Sequence, residues 1–360
     1  MNKVCLTILF FSLSLTSLLA QTPQENSKDL VNQAVFKIED KLYAEAIILL
    51  DSAIKEDPEA IDAVYQKTFC LHLLEKNQEA IILMEKLIAT NKKADGSCYQ
   101  LLGNVYDASH QSDKAIEVYN KGISIFPKDG SLYLEKGVVY AGSLNKVDQA
   151  VEAWEKGVEN APTYASNYYY LSKVYCNTNK KVWGLLYGEI FLNLERRTVR
   201  SAEIGKLIYD TYRKCISVLS SKKVELHFIP ETISKDKHAQ ESFILSFHQS
   251  WLPGVKKFMK SKSNLDMAAL VQLRKEFIKT WFKNGKNKLY PNAVFDYQNS
   301  LLDSNYFDSY SYWVLFRGKE DEFSPWLKNN KEQFSEFAAW FVQHPMPISE
   351  ENRVWKGMYK

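Results

Sequence analysis

A small side chain recurs at a nearly fixed interval in the first half of this chain. Alanine stands at Ala46, Ala80, Ala115 and Ala150, which are 34, 35 and 35 residues apart, and the equally small Gly184 follows 34 residues later. A repeat of this length is typical of stacked helix–turn–helix units, because one such pair cannot bury its own apolar face and needs a neighbouring pair to cover it. We therefore predict an all-α chain that begins with a helical solenoid.

Two adjacent units, within residues 95–162, share a more detailed pattern of glycine, tyrosine, alanine and proline. The matched positions are Gly103, Tyr106, Ala115 and Pro127 in one unit, and Gly137, Tyr140, Ala150 and Pro162 in the next. Glycine inside a helix costs about 1 kcal/mol relative to alanine. We therefore expect Gly103 and Gly137 to allow a close crossing with the second helix, opposite Ala115 and Ala150.

This pattern resembles that of tetratricopeptide repeats, and the likeness extends over roughly residues 27–197. The resemblance implies a right-handed solenoid of about five hairpins, each made of a first and a second helix. The predicted pairs are 28–39 with 43–56, 61–75 with 78–90, 97–108 with 112–125, 131–141 with 147–159, and 164–176 with 181–194. Residues 21–27 are predicted to form a mobile leader.

The N-terminus has the composition of an export signal. Lys3 precedes an apolar run over residues 4–15, and Leu18-Leu19-Ala20 stands before Gln21. This order predicts a secretory signal peptide over residues 1–20, with an uncleaved membrane anchor as the alternative. Its ending resembles export signals of Bacteroidota, and the chain resembles secreted tetratricopeptide proteins of that group. We expect the mature protein in the periplasm, with the cell surface or secretion as alternatives.

The net charge and the cysteines bear on two questions: attraction to nucleic acid and disulfide formation. The formal net charge of +3 gives no general attraction to nucleic acid. Four cysteines follow the predicted cut, at Cys70, Cys98, Cys176 and Cys215. An exported chain could pair them, but their helical positions among apolar neighbours favour buried free thiols, so their disulfide state stays open.

Residues 198–360 are predicted to form an aromatic-rich helical domain, after a repeat domain at 21–197. An amphipathic helix over 201–219 is expected to cap the stack. Residues 224–228 alternate like a strand, but without a recognisable partner they are predicted to be an extended connector. Further helices are expected at 240–252, where Pro253-Gly254 would end the helix, from a cap at Asn264 to Phe282, and at 293–306, 310–316, 323–328 and 331–342.

Candidate binding positions follow from the family resemblance, which implies that the first helices line a concave groove for a peptide. The groove candidates are Tyr65, Phe69, His72, Gln100, Asn104, Asp107, Tyr169, Lys173 and Asn177, with Leu134, Val138 and Ala141 in the fourth unit. Of these, Asn104 and Lys173 alone suit the two-carboxylate clamp of chaperone-binding members. The same residues could instead be ordinary solvated positions or lie under the C-terminal region.

A basic block, Lys256–Lys288, is the other candidate surface. It could contact anionic lipid head groups or an acidic partner, or it could be a solvated face opposite the acidic segments that follow. No metal or cofactor is expected: the nearest approach to a ligand cluster is His238 with Glu241 and His248, whose spacing fits no helical metal motif.

The sequence therefore favours a non-catalytic, exported scaffold that binds a protein or peptide of unknown identity. One alternative is a hydrolase or lyase activity within residues 198–360. Another is binding of envelope glycan or lipid by that region's tryptophans, namely Trp251, Trp281, Trp313, Trp326 and Trp340. Such tryptophans more often belong to a hydrophobic core.

Overall fold

The computed structural model describes residues 22–220, 223–230, 242–260 and 264–359. These residues form two compact units, one that ends at Ala94 and one that begins at Asp95. The predicted signal peptide lies outside the described residues, as do Gln21, His238 and Glu241. The prediction of a helical solenoid followed by further helices is confirmed.

The first unit contains two helical hairpins. Its helices are α1 (Pro23–Glu39), α2 (Tyr43–Glu56), α3 (Ile61–Leu73) and α4 (Asn77–Thr90). The prediction of a mobile leader at residues 21–27 is wrong from Pro23 onward. Thr22 accepts a hydrogen bond from the Glu25 backbone amide, and the Glu25 carboxylate accepts one from the Thr22 amide. This reciprocal cap satisfies two amides that would otherwise lack partners.

The second unit begins with three hairpins and one further long helix. These are α5 (Gly96–Ala108), α6 (Ser112–Ile125), α7 (Gly130–Ala141), α8 (Val147–Asn160), α9 (Ala165–Cys176), α10 (Lys181–Leu194) and α11 (Val199–Cys215). Helix α5 packs beside α7, α7 beside α9, and α9 beside α11. Helix α11 therefore takes the place that a first helix would take in a sixth hairpin.

A left-handed residue marks the turn inside each of the first four hairpins. Lys41, Glu75, His110 and Asn145 have φ of 61°, 61°, 60° and 51°. Each stands five residues before one of the recurring alanines. Such a backbone conformation is unfavourable for residues other than glycine, with asparagine the best tolerated. Its recurrence therefore reflects a turn geometry that all four hairpins share.

A two-stranded antiparallel ribbon follows α11, and here two predictions are wrong. Helix α11 ends at Cys215 rather than at residue 219, because β1 (Ile216–Ser220) follows directly and pairs with β2 (Lys223–Leu226). Residues 224–226 are therefore half of a hairpin, not an unpaired connector. The partner strand was overlooked because its apolar residues also fit the helical period of the preceding segment.

The remaining helices form the C-terminal part of the second unit. They are α12 (Phe243–Met259), α13 (Met267–Lys283), α14 (Lys286–Leu289), α15 (Ala293–Asp303), α16 (Phe307–Leu315), α17 (Glu320–Asn329) and α18 (Lys331–Gln343), with 3₁₀ turns at Phe316–Gly318 and Lys356–Met358. Pro253 does not end α12, and Asp266 rather than Asn264 caps α13. Trp251, Val255 and Phe258 are buried on one side of α12, and this packing outweighs the hydrogen bond that proline removes.

One hydrophobic core joins the last repeats to the C-terminal helices. It runs from Ala150 and Trp154 in α8, through Trp251 and Trp281, to Val354 near the C-terminus. The predicted domain boundary at residues 197 and 198 thus falls inside a continuous core. No helix in the described ranges has both the length and the apolarity needed to cross a membrane.

Candidate functional site

Hydrogen bonds connect neighbouring first helices of the second unit, one repeat apart. The Gln100 Nε2 on α5 donates to Glu135 Oε1 on α7 at 3.1 Å. The Tyr169 hydroxyl on α9 donates to Glu203 Oε2 on α11 at 2.5 Å. Partner residues are 35 and 34 positions apart in the sequence. Two predicted groove residues, Gln100 and Tyr169, therefore bond to carboxylates one repeat later. We call these four side chains the polar row: Gln100, Glu135, Tyr169 and Glu203.

The α9–α11 end of the polar row carries a compact charged cluster. Lys173 forms an ion pair with Glu203, with 2.7 Å between Nζ and Oε1, and donates to the Tyr169 hydroxyl at 3.2 Å. Hydrogen bonds from Lys173 and Tyr169 lower the pKa of the Glu203 carboxyl. Both side chains of the ion pair are more than two-fifths exposed, so solvent screens the pair and it adds little to stability. The cluster is accessible to a ligand.

Arg200 extends the same surface toward the start of α11. It donates to the Ser166 hydroxyl on α9 at 3.0 Å and forms an ion pair with Glu195. The Arg200 guanidinium also lies 5.1 Å from the centre of the Tyr169 ring. Neither Arg200, Glu135 nor Glu203 was among the predicted groove residues. Arg200, Glu135 and Glu203 lie one repeat after Ser166, Gln100 and Tyr169, so the repeat period could have identified them.

The predicted groove residues Leu134, Val138 and Ala141 are half-buried on α7. The remaining polar ones of this unit bond within their own hairpin or to the next turn. Asn104 accepts a hydrogen bond from the Tyr119 hydroxyl at 2.6 Å. Asp107 accepts from Ser112 at 2.6 Å and from Ser143 at 2.9 Å. Asn177 is exposed and donates to the Lys173 carbonyl at 2.8 Å. These contacts hold the side chains in place before any ligand arrives.

The predicted groove residues of the first unit lie on α3. Tyr65, Phe69 and His72 are all half-buried. The His72 Nδ1 lies 2.9 Å from Asn77 Oδ1, at the start of α4. They stay candidate ligand contacts within that unit.

The repeated glycines of the second unit lie where two helices of a hairpin approach most closely. A β-carbon at Gly103 would come within 2.3 Å of the Tyr119 ring, and one at Gly137 within 2.1 Å of Trp154 Nε1. Ala115 and Ala150, four residues earlier on the second helices, are fully buried. The aromatic side chains therefore occupy the space that the glycines leave open.

The flanking tyrosines and prolines have more varied surroundings. Tyr106 is buried and Tyr140 is half-buried. The Pro127 carbonyl accepts a hydrogen bond from the Tyr133 hydroxyl at 2.9 Å, whereas Pro162 is itself buried. These positions serve the packing of the repeats.

A buried polar cluster connects α10, α13 and α15. The Glu189 carboxylate accepts hydrogen bonds from Arg274 Nη2 at 2.9 and 3.0 Å and from Gln298 Nε2 at 2.5 Å. Both charged side chains are almost fully buried. The adjacent cavity has a volume of about 10 Å³, which is room for about one water molecule. The cluster has no space for a substrate, and its role is to join the repeats to the C-terminal helices.

The C-terminal segment contacts the turn after α6 and the second helices α8 and α10. Lys128 pairs with Glu350 at 2.6 Å, Arg353 donates to the Glu159 carbonyl at 3.1 Å, and the Lys356 amide donates to the Tyr187 hydroxyl at 2.9 Å. Tyr359 then stacks on Phe243, with 4.3 Å between ring centres. The second helices, rather than the polar row, therefore hold the tail.

Glu155 lies beneath this tail. Its carboxylate accepts hydrogen bonds from the Tyr175 and Tyr187 hydroxyls at 2.7 and 2.8 Å. Burial raises the pKa of the Glu155 carboxyl, against the lowering effect of the two tyrosines. The folded protein therefore binds a proton at Glu155 more readily than the unfolded chain does.

This raised pKa gives an expected pH dependence. Between the unfolded pKa of 4.5 and the higher pKa of the folded state, Glu155 is protonated in a larger fraction of folded molecules than of unfolded molecules. The free energy of unfolding therefore rises as the pH falls through that window. We expect Glu155→Gln to remove this rise, so that wild type gains stability relative to the variant between pH 7 and pH 4.5. Urea unfolding across that range measures the difference.

Glu117→Gln is the matched control, because Glu117 is exposed on α6. This variant keeps Glu155, so we expect it to keep the rise in stability at low pH. Parallel curves for wild type and Glu155→Gln would contradict the assignment of a raised pKa to Glu155.

The cysteines and the basic residues that the sequence singled out lie in separate parts of the structure. Cys70, Cys98, Cys176 and Cys215 are buried free thiols. In the basic block, Lys257 pairs with Glu276 and Lys275 with Asp308, while Arg274 lies in the buried cluster. Within the described residues no group of histidine, cysteine or acidic side chains could hold a metal ion.

The tryptophans of the C-terminal region fall into two groups. Trp251 and Trp281 are fully buried. Trp313, Trp326 and Trp340 are half-buried, and Trp326 stacks on Tyr312 with 3.8 Å between ring centres. The first two are thus core residues, and the other three pack against the core with part of their surface free.

Comparison with known proteins identifies one repeat. Residues 96–129 match the family described as tetratricopeptide repeat. No curated protein sequence matches the chain. The matched range spans α5, α6 and the turn that leads to α7.

Solved structures of repeat proteins align with about half of the chain. PilF of Pseudomonas aeruginosa is 15% identical over 53% of this chain and 86% of its own, with a TM-score of 0.44. MamA of Desulfovibrio magneticus RS-1 is 19% identical over 48% and 96%, with a TM-score of 0.37. YrrB, described as a tetratricopeptide protein with an unusual peptide-binding site, is 19% identical over 46% and 84%, with a TM-score of 0.33. The chain is thus similar to these proteins, and it contains a tetratricopeptide repeat at residues 96–129.

Proposed function

We propose that this protein is a non-catalytic scaffold that binds a peptide or protein segment along the polar row. The observation that carries the proposal is the set of hydrogen bonds between successive first helices, Gln100 to Glu135 and Tyr169 to Glu203. An extended peptide presents a backbone donor and acceptor at each residue. A row of fixed amide, carboxyl and hydroxyl groups can satisfy them in sequence.

The chemistry of the row supports a segment of mixed composition. The row contains the acidic groups Glu135 and Glu203, and the basic groups Lys173 and Arg200 contact Glu203 and the Tyr169 ring. Burial raises the pKa of the Glu135 carboxyl, whereas hydrogen bonds from Lys173 and Tyr169 lower the pKa of the Glu203 carboxyl. A uniformly acidic ligand is disfavoured, because the carboxylates of Glu135 and Glu203 would repel it.

Selection of peptides from a random displayed library tests the proposal. We expect wild type to enrich a common motif, and the double variant Gln100→Ala/Lys173→Ala to bind the selected peptides at least about tenfold more weakly, a loss of roughly 1.4 kcal/mol. The matched control is Glu117→Ala/Asn120→Ala, two exposed positions on the second helix α6, which should bind as wild type does.

Unfolding midpoints of both variants establish that the fold is intact. If no peptide is enriched, or if the selected peptides bind the Gln100→Ala/Lys173→Ala variant as tightly as wild type, the polar row is not the binding surface.

Export to the cell envelope is part of the proposal, and the order of residues 1–21 supports it. N-terminal sequencing of protein from the native cell is expected to begin at Gln21. An intact Met1 would contradict cleavage. Contact of the basic block with anionic lipid belongs to the same proposal, and binding to anionic but not neutral vesicles would test it.

A further inference from the structure

A half-open cavity of about 430 Å³ lies between the start of α11 and the turn after α16. Its floor is apolar and includes Leu192, Ala202 and Val314, with the half-buried Trp313 at one side. Known small-molecule pockets have volumes of roughly 300–1,000 Å³ and combine an apolar lining with a few polar groups. This cavity has both properties, and none of its lining residues belongs to the polar row.

Two arginines provide the charge among the described residues that line the cavity. Arg197 and Arg317 contribute guanidinium groups, and none of these described lining residues carries a carboxylate. Arg317 pairs with the exposed Glu320 at 2.7 Å and lies 4.6 Å from the centre of the Phe316 ring. Within the described part of the chain, the Arg197 side chain has no ion pair. The positive end of the α11 dipole points toward the same space and adds to the positive potential.

The uncharged polar side chains in the lining already have hydrogen-bond partners. Thr198 and Ser201 hydrogen-bond to each other's side chain and backbone in the cap of α11. Val199, by contrast, leaves 88% of its surface exposed beside the cavity. An exposed aliphatic wall next to unpaired positive charge suits a ligand that has an apolar body and an anionic head.

We infer that this cavity binds a small organic anion whose carboxylate contacts Arg197 and Arg317 and whose apolar body covers Trp313 and Val199. A guanidinium and a carboxylate can form two parallel charge-assisted hydrogen bonds, which are stronger than neutral ones. This site and the peptide surface are independent, and each can exist without the other.

Binding of 2-naphthoate and of the uncharged 2-naphthamide to the full chain tests the inference by calorimetry. The two probes share an aromatic body and differ in the charge of the head group. Hydrogen bonds between a guanidinium and a carboxylate are charge-assisted, so naphthoate is expected to bind at least about tenfold more tightly than the amide. The preference should shrink as salt is added.

Three variants separate the contributions of charge and shape. Arg197→Ala/Arg317→Ala should remove the preference for the anion and leave the weak binding of the amide. Ala202→Leu should fill the floor and weaken both probes. Arg213→Ala removes an exposed arginine from the other end of α11 and should change neither affinity.

Several outcomes would overturn the inference. These are equal affinity for the two probes, no binding of naphthoate at millimolar concentration, or an unchanged preference in Arg197→Ala/Arg317→Ala. An effect of Arg213→Ala as large as that of the double variant would show that general charge, and not this cavity, attracts the anion. Peptide binding at the polar row is measured in a separate experiment. A negative result at one site therefore does not affect the interpretation of the other site.

Discussion

Replacing Arg274 with methionine is expected to lower the free energy of unfolding by about 3–5 kcal/mol. Arg274 and Glu189 are almost fully buried, and the two Nη2 contacts to the Glu189 carboxylate measure 2.9 and 3.0 Å. Methionine would leave a negative charge in the core with Gln298 as its remaining partner. An uncompensated buried charge is far more costly than the loss of a single hydrogen bond. Urea or thermal unfolding measures the change.

A second substitution separates the charge from the packing. In Glu189→Gln/Arg274→Met both charges are absent and Gln298 keeps an acceptor, so we expect more than half of the lost stability to return. Lys279→Met, five positions along α13, is the matched control, because Lys279 is exposed. That variant should change stability by less than about 1 kcal/mol. An Arg274→Met effect no larger than the control's would show that the cluster contributes little.

Replacing Ala115 with tryptophan is expected to destabilise the second unit by about 3 kcal/mol or more, at the upper end of the usual range for overpacking. Ala115 is fully buried where α6 crosses α5, and Tyr119 already fills the space beside Gly103. A large ring could be accommodated only if the two helices moved apart. Thermal unfolding and circular dichroism measure the loss of stability and of helix.

The same tryptophan placed at Glu117, which is exposed on α6, serves as the control. Glu117→Trp should shift the free energy of unfolding by less than about 0.5 kcal/mol. If Ala115→Trp melts at the wild-type temperature, the recurring alanines do not mark the helix crossings.

The periodic features of the fold could be predicted because they repeat within a short stretch of sequence. The small residues at Ala46, Ala80, Ala115 and Ala150 located the second helices, and the hairpins around them agree with the structure to within a few residues. The structure shows the same period in the turns, where Lys41, Glu75, His110 and Asn145 occupy equivalent left-handed positions. Each contact in a repeat array lies close in sequence, so local patterning is sufficient.

Outside the repeats, the same reasoning failed at elements that depend on distant partners. Pro253 reads as a helix end, but the buried face of α12 keeps the helix intact. The partner of β2 was hidden in residues 216–220, whose apolar spacing also fits a helix. Within the repeat stack, Glu135 and Glu203 were missed as site residues although each lies one repeat after a predicted groove residue, because the sequence does not show that those side chains meet.

The sequence by itself determined that the chain is helical, that its units repeat, and where alanine and glycine permit close packing. The tertiary structure alone decided that Glu189 would meet Arg274, 85 positions away, and that the tail would cross the repeats to Tyr187, 169 positions from Lys356. Helical periodicity follows from backbone geometry, which every few residues specify. A buried ion pair follows from the desolvation of two charges that only the assembled core brings together.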